Sequence, residues 1–140
     1  MDLREHIDQS YRASVAGMDI PWMLGQWAEK QPEKICLIWR PFTGEQQSWT
    51  YRELFDAARR LAAGLKNRGV NTGDFVFIHM DNSPEFIISW YGCAMLGAVA
   101  VSTNTRCVAR DLSYFEEVVE PVCALTLSLI HISEPTRLER

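Results

Sequence analysis

The sequence lacks the spacings on which most small catalytic or metal-binding domains are built. Its four cysteines, Cys36, Cys93, Cys107 and Cys123, include no C-x-x-C pair, so neither a zinc knuckle nor a dithiol redox site is expected; the reading is buried, reduced thiols in a cytoplasmic protein. It also lacks an excess of basic residues. Lys and Arg number 14 against 18 Asp and Glu, a formal net charge of −4, which leaves no electrostatic footprint for nucleic acid. The opening residues, MDLREHIDQSYRASVAG, carry charges throughout and no apolar core segment, so no signal peptide is expected. From Phe86 to Thr105 there is no charged residue at all. The apolar part ends at Val101 and is divided by Gly97. It is shorter than the roughly 20 residues a membrane-spanning helix needs, and a buried helix followed by a buried strand is expected instead.

Ready-made chemistry is absent too. No G-x-x-x-x-G-K-[ST], G-x-G-x-x-G, G-x-S-x-G or H-E-x-x-H occurs, which excludes the common phosphate-loop, dinucleotide, serine-hydrolase and zinc-protease signatures. His79 stands without a matching cluster and reads as a core residue rather than a catalytic base. The pair Glu116–Glu117 reads as a solvated helix face.

What is present is regular alternation. Residues 1–17 suggest a short amphipathic helical lead-in. A helix follows from about Pro21, with Trp22, Leu24, Trp27 and Ala28 on one side, and Pro32 stops it. Ile35–Trp39 is an apolar run of strand length, and Ser48–Trp49 suggests a further short strand. The best-specified element is the helix from Tyr51 to about Arg68. Thr50 and Glu53 have capping-box spacing, and Trp49 and Leu54 the spacing of a hydrophobic staple. Leu54, Ala58, Leu61 and Leu65 share a face, and Gly69 suits the position after the helix. Phe75–Met80 is expected as a strand. Ser83, Pro84 and Glu85 then start an apolar helix ended by Gly97, a helix that must be covered on most sides. Ala98–Val101 is a short strand, Ser102–Ala109 a loop, Arg110–Glu120 an amphipathic helix ended by Pro121, and Val122–Thr126 a strand. Helices and strands in alternation give an α/β fold with right-handed crossovers and a mainly parallel sheet.

Two places could meet a ligand. One is the helix start at Ser83–Glu85, where free N–H groups attract anions; Asp81 and Glu85 repel them, so plain capping is the expectation. The other is Thr103–Arg106. Asn104 is expected to organise the turn. Arg106 stays open between a surface ion pair and a phosphate or carboxylate contact.

Taken together, WTYREL, RGV–x–x–GD, NSPEF and LGAVAV followed by NTR resemble the N-terminal subdomain of the adenylate-forming, AMP-binding superfamily, over roughly residues 20–126. Within it, STNTR is similar to the N-x-R of acyl-CoA synthetases, where carrier-dependent adenylation domains have an Asp-Pro-centred sequence. The run HMDNSPEFIISWYG resembles the carnitine- and betaine-CoA ligase branch. The resemblance implies a reaction in which a carboxylic acid and ATP, with Mg²⁺, form an acyl-adenylate and pyrophosphate, and CoA then displaces AMP. It also implies that the phosphate loop, the ribose-binding Asp and the catalytic Lys lie downstream of Thr126. No residue of this chain is therefore assigned a catalytic, cofactor-binding or metal-binding role, and the chain by itself is expected to be inactive and short of covering partners. A carrier-dependent adenylation domain, or a small non-catalytic α/β binding module, remain open alternatives.

The organisation expected is a lead-in at 1–19, the partial subdomain at 20–126, and a non-native tail at 127–140. Leu127–Arg137, LSLIHISEPTR, resembles an in-frame translation of a transposase-type sequencing-library adapter. A genuine strand with a polar end is the alternative.

Overall fold

The computed structural model describes residues 17–127. Residues 1–16 of the expected lead-in, and all of the expected tail except Leu127, lie outside the described residues. Helix α1 (Ile20–Lys30) starts where the Asp19 carboxylate accepts the Trp22 N–H at 2.7 Å, with Pro21 in its first turn. Asp19 thus satisfies one of the donors that every helix start leaves free. Leu24 and Ala28 are its buried residues.

Strands β1 (Ile35–Trp39) and β2 (Gln47–Thr50) form an antiparallel pair of their own. They stand apart from the mainly parallel sheet expected, which the remaining three strands form. The intervening loop turns the chain straight back, with Arg40 donating to Gln46 at 2.8 Å across it. Ile35 and Ile38 remain exposed, whereas a strand inside a parallel sheet is covered on both faces. The pair is tied to the next helix by its backbone: the Tyr51 N–H donates to the Lys34 carbonyl at 3.0 Å and the Arg52 N–H to the Pro32 carbonyl at 3.2 Å.

Helix α2 (Tyr51–Asn67) has the capping box its sequence encodes. The Glu53 N–H donates to Thr50 Oγ1 at 3.2 Å, and the Thr50 N–H donates to Glu53 Oε2 at 2.8 Å. Leu54, Ala57, Ala58 and Leu65 turn inward. Strand β3 (Phe75–His79) then leads to α3 (Pro84–Leu96), where Ser83 caps the Phe86 N–H at 3.2 Å. Gly97 ends α3 at φ 78°, a left-handed conformation natural to glycine. Strand β4 spans Val99–Thr103, so Ser102 and Thr103 belong to the strand and not to the loop expected after Val101. Parallel pairing of Ile78 with Ser102 and of His79 with Thr103 carries it that far. Helix α4 (Ala109–Val119) and strand β5 (Cys123–Thr126) complete the described chain.

The larger sheet is parallel with β3 in the centre, in the order β4-β3-β5. Its core side is closed by α2 and α3: Leu65, Val70, Val76, Cys93 and Ala98 form one buried cluster, with Leu61, Leu96, Ala100, Cys123 and Leu125 packed around it. Gly92 makes the helix contact possible. A side chain there would begin 2.9 Å from Leu61 Cδ2 and 3.1 Å from Leu61 Cβ. The opposite side of the sheet is thinly covered. Phe75 and Val99 are exposed, and α4 has no buried residue. No helix among the described residues is long and apolar enough to cross a membrane.

Two outcomes follow. Gly92→Ala gains about 1 kcal/mol of helix propensity but overpacks against Leu61 at a cost of about 1–3 kcal/mol. Urea unfolding should show a net loss for this substitution in the parent, and a gain for the same substitution made in a Leu61→Ala background. The second concerns the capping box. The hydrogen bond from the Thr50 backbone, and then that from its side chain, hold the Glu53 carboxyl below its usual range. A depressed folded value means stabilisation present above the unfolded pKa of about 4.3 and lost as pH falls through the folded value. Glu53→Gln should therefore lower Tm at pH 7, and the gap to the parent should close in melts taken below about pH 4.

Candidate functional site

Open parallel sheets bind ligands beyond the carboxyl ends of their strands, and here that edge is built from both segments singled out in the sequence. His79, Thr103 and Thr126 stand side by side in register at the strand ends. His79 Nδ1 and Thr103 Oγ1 are 2.8 Å apart, with Thr103 buried. Two residues beyond each of these strand ends, the Thr105 hydroxyl donates to Asp81 Oδ1 at 2.5 Å. The parallel register thus continues past the strands, and the two loops are clasped together. Beside the clasp is a cavity of about 360 Å³ lined by Asp81, Asn82, Phe86, Thr103, Asn104 and Thr105, among others.

The structure distinguishes the candidates sharply. Asn104 organises the turn, as its residue type suggests: its side-chain oxygen accepts the Arg106 N–H at 2.9 Å, and its carbonyl accepts the Cys107 N–H at 2.9 Å. Ser83 caps α3. Arg106 is exposed and does not line the cavity, so the Thr103–Arg106 segment and the α3 start meet without bringing a cation to the space between them. His79 does not line it either, and its hydrogen bond to Thr103 supports a structural role. Glu116 and Glu117 are exposed on α4. The Asp81–Thr105 clasp escaped the sequence reading. Its signal is the constant 24-residue offset of β3 on β4, which only a known register supplies.

Chemically this edge suits neutral polar groups rather than a triphosphate. Asp81 lines the cavity and Glu85 lies in the first turn of α3, and both oppose a polyanion. No glycine-rich loop among the described residues approaches it. Among those residues, too, no group of three or more His, Cys, Asp or Glu is placed to hold a metal ion. A larger space of about 670 Å³ lies along β2 and α2, lined by Trp49, Arg52, Glu53, Asp56 and Arg60 among others. It is an open surface trough whose central groups are already engaged: Glu53 in the capping box, and Arg52 donating to the Ala28 carbonyl at 3.3 Å. The buried thiol of Cys93 and the partly buried ones of Cys36 and Cys123 are poor nucleophiles. Burial pushes Cys93 up to about 11 and raises Cys36 and Cys123 as well, which suppresses the reactive thiolate.

Comparison with known proteins agrees with this architecture. The family model described as AMP-binding enzyme matches residues 24–139. A crotonobetaine/carnitine–CoA ligase from Salmonella paratyphi A is 32% identical over 100 residues, covering 71% of this chain and 19% of the relative. The Salmonella arizonae ligase of the same name is 33% identical over the same coverage. Among solved structures, O-succinylbenzoate coenzyme A synthetase (MenE) from Bacillus subtilis, in complex with AMP, superposes with a TM-score of 0.68 at 32% identity, over 75% of this chain and 26% of that one. The N-terminal subdomain of Klebsiella oxytoca NpsA, in complex with anthranilyl-AMSN, gives 0.69 at 27% identity, over 76% and 27%. The chain spans about a fifth of the length of the curated relatives it matches. On the family match, the fold and these likenesses together, the chain belongs to the AMP-binding enzyme family and represents part of the N-terminal subdomain of an adenylate-forming enzyme.

Proposed function

We propose that the parent protein is an ATP-dependent acyl-CoA synthetase and that this chain is a non-catalytic portion of it. The observation that carries the reading is the identity to CoA ligases over 100 residues, together with Thr103-Asn104-Thr105-Arg106 where carrier-dependent adenylation domains have an Asp-Pro-centred sequence. In such an enzyme the substrate carboxylate attacks the α-phosphorus of ATP, and pyrophosphate leaves with the electrons of the broken P–O bond. A CoA thiolate then attacks the acyl carbon of the adenylate and AMP departs. Both steps develop negative charge that preorganised donors and Mg²⁺ must offset.

The described residues offer no such donors: their sheet-edge cavity is lined by Asp81, and their glycines serve turns and helix packing. The contribution of this chain is a scaffold that holds the loops after β3 and β4 in fixed relation. The carboxylic acid, ATP, Mg²⁺ and CoA are accordingly assigned to the parent, with a cytoplasmic setting supported by four free thiols among the described residues. The tail at 127–140 is assigned to a library adapter, on the match of LSLIHISEPTR to its reading frame. Sequencing the locus from source DNA tests this: a genomic copy continuing as LSLIHISEPTRLER would overturn it, as would a structural role for those residues within the family match that extends to residue 139.

The second reading is a carrier-dependent adenylation domain, which shares the first half-reaction.

The purified 140-residue chain should give no ATP–pyrophosphate exchange above background with any carboxylic acid; measurable turnover refutes its non-catalytic role. The full reading frame should give exchange, followed by AMP release that requires CoA. Release that requires a phosphopantetheinylated carrier, and ignores CoA, would favour the second reading.

A further inference from the structure

We draw no further inference here: the strongest candidate, the apolar cavity of about 330 Å³ between α1, β1, α2 and α3 lined by Trp27, Cys36, Tyr51 and Tyr91 among others, opens beside the exposed Met23 and Trp27 of α1, and nothing among the described residues shows what covers it.

Discussion

The close approach of α3 to α2 at Gly92 is the constraint from which the rest of the structure follows. With no side chain at that position, Leu61 fills the space beside the helix and Cys93 is driven fully into the core. Cys93 then joins Leu65, Val70, Val76 and Ala98 under β3. Because interiors are packed to crystal-like density, a contact of this kind admits little slippage. It sets where α3 begins and ends relative to β3, and hence where β4 enters the sheet. The backbone bonds from Gly73 to Gly97 at 2.8 Å and from Val99 to Asp74 at 2.8 Å then lock the lower end of the same register. At the upper end, His79 with Thr103 and Asp81 with Thr105 lock the loops. A helix contact on one side of the sheet thereby places side chains at an edge it never touches.

Much of this was legible because local chemistry and global fold agree. Thr50 with Glu53, Ser83 with Pro84, and Gly97 each announce a helix end by a mechanism confined to a few residues. The charge-free stretch after Phe86 resolved into α3 and β4 because Gly97 divides it. The misplaced features are those fixed by non-local pairing. Ile35–Trp39 and Ser48–Trp49 were both legible as strands, but their antiparallel pairing with each other, apart from the parallel sheet, was not. Ser102 and Thr103 look like loop residues and remain in the strand because Ile78 and His79 lie opposite them. Among the candidate site residues, Asn104 declared its turn by residue type, whereas Asp81 and Thr105 became partners only once the register was known.

The distribution of covering surface explains why fold and family are so much clearer here than chemistry. The core side of the parallel sheet is closed by two helices. The other side leaves Phe75 and Val99 exposed, and α4 contributes no buried residue. Apolar area left in water forgoes about 25 cal/mol per Å², so this face has stabilisation still to gain from contacts the described residues do not make. The polar cavity at the strand ends has the same one-sided character. Its lining presents acceptors and hydroxyls, but no cationic side chain to hold a phosphate.

The unbroken offset between β3 and β4 also has an evolutionary reading. An extra residue inside α3 would rotate everything beyond it by about 100°, turning position 92 away from Leu61 and separating Asp81 from Thr105 in a single step. Relatives should therefore keep the span from Thr72 to Thr105 at constant length while its side chains drift. Variation in length should gather instead between Arg40 and Gln46, where the chain merely reverses and no second strand measures its distance.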